Sequence, residues 1–171
     1  MSEYNKNKNI SNLINMKPKI GIPEKSINSV TELLSIGLAN EVTLYTKIRK
    51  FHWNVSGESF MELHKLFENH YEKLEESIDE IAERIGKLGN KTIGTMKEFG
   101  KLSTIKEHPE KYPSSKEMIK ELLTDHETVI VMLREAIVAC SEKHKDAGTA
   151  DFLTGLMEQH ETIAWTLRRY F

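Results

Sequence analysis

Five residues between Phe51 and Gly89 have the types and spacing of metal ligands: His52, His64, Glu68, Asp79 and Glu83. His64 and Glu68 are four apart, as are Asp79 and Glu83, so on a helix each pair shares one face. Imidazole with carboxylate suits iron, manganese or zinc. Glu68 and Asp79 are separated by close to three turns, which puts both pairs on nearly the same side of one helix, about 16 Å apart along its axis. A metal ion holds its ligands at about 2 Å, so the two pairs cannot complete one coordination sphere within a single straight helix. A second, antiparallel copy of the helix supplies what is missing. His64 and Glu83 are equidistant from a point between Lys73 and Leu74, and so are Glu68 and Asp79. A two-fold axis at that point brings His64 and Glu68 of one chain to Glu83 and Asp79 of its partner, and builds two equal sites roughly 22 Å apart.

The elements that must carry these residues are all helical. A first helix beginning near Ser26 or Ser29 is marked by the capping box Ser29-x-x-Glu32 and by a stripe of Ile27, Val30, Leu34, Leu38, Tyr45, Ile48 and His52, with Gly57 as its stop. A second opens at the box Ser59-x-x-Glu62 and runs to Gly89; Phe60, Leu63, Phe67, Tyr71, Leu74, Ile78, Ile81, Ile85 and Leu88 form its buried stripe, flanked by the ligand pairs. Residues 89–114 make a long connection in which Thr95-x-x-Glu98 signals a short helix. A connection of that length can traverse the bundle and start the third helix parallel to the second. The third helix begins at the box Ser114-x-x-Glu117 and is broken at Gly148; the fourth runs from about Thr149 to the end. His126 and Cys140 lie on the buried stripe of the third helix and read as core residues. Trp53 is more often core than redox partner, and its place beside His52 makes it a reporter of metal binding.

Bulk properties narrow the function classes. A chain of 171 residues is one domain by length. No apolar run is long enough to span a membrane, and the N-terminus lacks the apolar core of a secretory signal. A single cysteine points to a reducing, cytoplasmic setting. The net charge of −2 does not advertise nucleic-acid binding by the whole surface. Residues 1–25 are polar and lysine-rich, with Pro18, Gly21 and Pro23 against a helix, and read as a flexible basic tail ahead of a bundle over 26–171. No Glu-x-x-His occurs, so a di-iron centre of the usual ferritin kind within one bundle is not expected.

The run H-W-N-V-x-G-x-x-F-x-x-L-H-x-x-F-E from His52 to Glu68, followed by D-x-x-A-E-R-I from Asp79 to Ile85, resembles the signature of the Dps-type miniferritins, the DNA-protection-during-starvation family. That resemblance implies an all-α ferritin-like four-helix bundle whose second and third helices are joined by a long crossover containing a short helix. It implies iron(II) oxidation at sites shared between subunits, with hydrogen peroxide more than dioxygen as oxidant, and a ferric mineral stored in a twelve-subunit shell. His52, His64, Glu68, Asp79 and Glu83 would be the iron ligands. By the same resemblance, three-fold pores admit iron(II), with Glu142, Asp146 and Asp151 lining them. In some family members N-terminal lysines bind DNA; here those would be Lys6, Lys8, Lys17 and Lys19. The family often has Asp where this chain has Glu68. Three functions are thus in play: a ferroxidase and iron store, a DNA-binding protein with a secondary iron site, and a helical scaffold with carboxylates only at its surface.

Overall fold

A computed structural model describes residues 17–171, and within them every regular element is a helix. The first, α1 (Glu24–Asn54), starts directly after Pro23, whose backbone is already at φ −60° and ψ 141°. The helix therefore begins before Ser29, which lies inside it, and the capping box expected there does not form. It ends at Val55, which turns to extended backbone, and Gly57 at φ +104° makes the reversal that leads into α2 (Phe60–Lys87). Ser59 occupies the N-cap of α2 without capping it; the Glu62 carboxylate instead accepts a hydrogen bond from the Tyr170 hydroxyl at 2.7 Å. The stripe of α2 is close to the expected one, except that Phe60 is exposed while His70 and Ser77 are buried.

Gly89 stops α2 at φ +88°, a conformation disfavoured for residues with a Cβ. Its bare face receives Pro18, whose Cδ would lie 2.3 Å from a Cβ at that position. The stretch from Lys17 to Pro23 is therefore not all free tail: Pro18 packs on the bundle and Lys17 pairs with Glu24. The connection that follows carries α3 (Met96–Leu102), opened by the expected box between Thr95 and Glu98. Asn40 of α1 pins the connection, its Oδ1 accepting from the Thr104 amide at 2.7 Å. The box at Ser114 forms as expected and begins α4 (Ser115–Val138). This helix widens into a π turn, Ala139–Lys143, and the chain breaks at Lys145, at φ +56°. Gly148 is not the breaker; it lies in the first turn of α5 (Ala147–Arg168), which Asp146 caps.

Side-chain ties fix the topology. Early α2 meets late α5 through Glu62 and Tyr170, and late α2 meets early α5 through Arg84 and Thr149, so those helices are antiparallel. Lys47, late in α1, pairs with Glu121 and Asp125, early in α4, so those two are antiparallel as well. With α1 and α2 joined by a short loop, α2 and α4 run parallel, which is the ferritin-like crossover. Leu34, Leu38, Leu44, Ile48, Phe67, Leu74, Ile81, Leu122, Leu133, Ile163 and Leu167 fill the core, and Cys140 is buried among them as expected. The core also holds charge and imidazole: Glu41, His70, His126 and His160, one from each long helix, are all at most 4% exposed.

Candidate metal centre

The short loop between α1 and α2 sets the last turn of one helix against the second turn of the other, and so brings His52 to His64. Their rings stack at 3.7 Å between centroids, 19° from parallel. His52 Nδ1–H donates to the His64 carbonyl at 2.8 Å, and His64 Nδ1–H donates to the His52 carbonyl at 2.9 Å. A carbonyl oxygen only accepts, so both Nδ1 atoms carry a proton, and in the neutral rings each Nε2 presents a lone pair. That is the tautomer a metal ligand requires, imposed by the backbone.

Glu68 stands one turn on from His64. The Lys65 ammonium beside it holds its carboxyl below the usual carboxylate range, with smaller contributions from His52 and His64. Asp79 and Glu83 are exposed further along the same helix, and Glu83 pairs with Lys87 at 3.0 Å. Glu72, Glu75, Glu76 and Glu80 are exposed on α2 as well, so the helix offers a cation a strongly acidic surface. Within one chain, then, His52, His64 and Glu68 are neighbours, and Asp79 and Glu83 are not brought to them. Among the described residues, no three His, Cys, Asp or Glu side chains already surround a common metal position.

Trp53 does not enter the core: it is 65% exposed, and the Arg49 guanidinium lies 5.3 Å from its ring. A wall of the site missed in the sequence is Tyr71, whose ring meets that of His52 edge-on at 5.3 Å. Its spacing of three from Glu68 and seven from His64 was the available signal. Of the pore residues, Glu142 and Asp151 are exposed. Asp146 is 3% exposed: it accepts from the Thr149 amide and hydroxyl at 2.9 and 2.6 Å and from Arg84 at 3.2 Å. That makes it a helix cap and ion-pair partner, buried in the single chain where Glu142 and Asp151 are exposed. Lys19 is exposed, whereas Lys6 and Lys8 lie outside the described residues.

A ferritin-like domain family matches residues 31–171. The DNA protection during starvation protein 2 of Bacillus anthracis is 37% identical over 142 residues, covering 82% of this chain and 95% of that relative. The chain belongs to the Dps-type miniferritin family. A second relative, an uncharacterised low-temperature-induced protein of Nostoc sp., is 47% identical over 151 residues, 88% of this chain and 84% of its own. A crystal structure of a Dps protein from Vibrio cholerae, described as a member of a broad superfamily of ferritin-like diiron-carboxylate proteins, superposes with a TM-score of 0.84 at 27% identity, over 91% of this chain and 97% of the other. The Dps fold expected from the motif, crossover and short helix included, is the fold observed. Membership places the chain among proteins of iron storage and DNA protection in general. No helix among the described residues is long and apolar enough to cross a membrane.

Proposed function

We propose that this Dps protein binds iron(II) between two copies of itself, oxidises it and stores the ferric product as mineral inside a shell of twelve chains. The observation that carries the reading is the reciprocal bonding of His52 and His64. It prepares two imidazole lone pairs beside the Glu68 carboxylate, on the helix that also bears Asp79 and Glu83 in mirrored register. Neither half is a full ligand set. Imidazole nitrogens and one carboxylate from one chain, with two carboxylates from its partner, form a mixed set that accepts iron(II) and favours the harder iron(III). Hydrogen peroxide is the matching oxidant: it takes two electrons, one from each of two iron(II) ions, and leaves as two hydroxides. The longer arm of Glu68 keeps the carboxylate and sets its own reach to the metal.

Exposed Trp53, Phe60 and Met61 stand beside the histidine half. Their apolar surface is what a partner chain would cover. Glu142 and Asp151, exposed near the start of α5, serve as carboxylates of the iron entry. The test uses mixed dimers. One chain carries His64→Ala with Glu68→Ala, and its partner carries Asp79→Ala with Glu83→Ala. One of the two sites then keeps all four ligands and the other loses all four, so the mixture retains about half of the iron oxidation while each mutant homodimer is strongly impaired. Full activity in the His64/Glu68 homodimer defeats the shared site.

A second reading, DNA contact through the N-terminal lysines, draws on the exposure of Lys19 and of Lys17, the latter beside Glu24.

A further inference from the structure

The two imidazoles of the metal centre are the middle of a longer stack. Phe60 lies against His64 at 5.1 Å, His64 against His52 at 3.7 Å, and His52 against the edge of Tyr71 at 5.3 Å. Beyond Tyr71 comes a cation: the Arg49 guanidinium sits 4.6 Å from the Tyr71 centroid. Arg49 is itself held by Tyr45, whose hydroxyl accepts from Arg49 Nη1 at 2.8 Å. Arg49 is half-buried, and that bond to Tyr45 is the leading reason its proton is held even more firmly than usual. A permanent positive charge one ring away from two metal ligands is an odd neighbour for a dication. Charge alone predicts that it weakens binding.

We propose that Arg49 and Tyr71 are positioning residues of the metal centre, Arg49 clamping the Tyr71 ring and Tyr71 serving as the end-stop that holds the His52–His64 stack in its ligating geometry. Metal held at the Nε2 atoms would polarise two nearly parallel rings in the same sense, so that they repel across 3.7 Å. The backbone bonds fix one edge of each ring, so splaying at the Nε2 edge is the motion left, and the Tyr71 ring packed against His52 at 5.3 Å would resist it. A planar guanidinium can lie over one ring while bonding the hydroxyl of another; an ammonium lacks the flat face and the fork. The inference rests on the proposed iron site, and it makes a prediction opposite in sign to simple electrostatics.

The test is cobalt(II) titration of the full-length oligomer, followed by the visible bands of the bound ion, with KM and kcat for iron(II) oxidation measured alongside. Arg49→Gln, Arg49→Lys and Tyr71→Leu should each weaken cobalt(II) binding about tenfold and alter the band shape, as loss of an outer-shell partner does. Tyr71→Phe, which keeps the ring, should bind as the native protein does. Tighter or unchanged binding by Arg49→Gln means the guanidinium acts only as a charge and overturns the proposal. So does native-like binding by Arg49→Lys. Should the Arg49 variants misfold, Tyr71→Leu carries the same test: native-like binding by it is equally fatal. Failure of the native protein to bind cobalt(II) would count against the iron site itself, which separates the two failures.

Discussion

Burial holds the His126 imidazole well below its ordinary pKa of 6.5, with His160 and His70 adding to the effect. Its Nδ1 lies 2.8 Å from His160 Nδ1, and His160 Nε2 lies 2.7 Å from Glu41. His70 and His160 are the titratable groups beside it, and Glu41 reaches it only through His160. The folded state refuses a proton that the unfolded chain accepts below about pH 6.5, so the unfolded state binds more protons in acid. Stability is therefore highest above that pH and falls as pH drops toward the depressed folded value. Melting temperatures measured from pH 7 to pH 5 should decline, and the decline should be shallower in His126→Leu. At the residue level, spacing within one helix was legible: His64 with Glu68, and Asp79 with Glu83, stand one turn apart on α2 as read from the sequence. The sequence reading missed the mutual bonding of His52 and His64, because twelve positions and a loop separate them and only the packed structure sets their rings together. It placed Trp53 with the core because a large aromatic at helical spacing looks the same whether it meets the bundle or the outside.

At the scale of elements, four serine or threonine boxes were legible and two exist. Thr95 and Ser114 have extended backbone, at ψ 147° and 159°, and exchange bonds with Glu98 and Glu117. Ser59 sits at ψ 22°, and its would-be partner Glu62 is taken by Tyr170. That same contact, after desolvation, helps push the Tyr170 hydroxyl up to about 12. Ser29 fails for another reason: Pro23 has already supplied the backbone geometry for helix entry. Ser114→Ala should therefore cost about 1 kcal/mol in denaturant unfolding, while Ser29→Ala and Ser59→Ala should cost little, Ser29→Ala even gaining a few tenths from helix propensity. Equal losses at Ser114 and Ser29 would contradict this assignment of caps. Helix existence was legible throughout because the apolar stripes are long. The break after α4 was not, since a lysine at positive φ and a π turn leave no glycine-like mark.

For the whole molecule, the question left by a net charge of −2 is whether nucleic acid is a partner at all. If lysines 6, 8, 17 and 19 make the contact, removal of residues 1–25 abolishes DNA retention in a gel-shift assay, and the full-length complex loses affinity steeply with added salt. Retention by the truncated chain would place the contact elsewhere. A truncation at residue 16 is the milder variant, because it spares Pro18 on Gly89 and the Lys17–Glu24 pair. If the proposed centre is shared, assembly has a chemical meaning that follows from each chain bearing both halves, His52, His64 and Glu68 at one end of α2 and Asp79 and Glu83 further along it, out of each other's reach. On the proposed shared site, a newly made chain that has not yet found its mate would have two incomplete grips on iron and no complete one. It could then be synthesised among peroxide and ferrous ions without starting the proposed reaction. On that proposal turnover would begin only when the container that keeps the product begins to form, so quaternary structure would set the timing of the chemistry with no separate inhibitor.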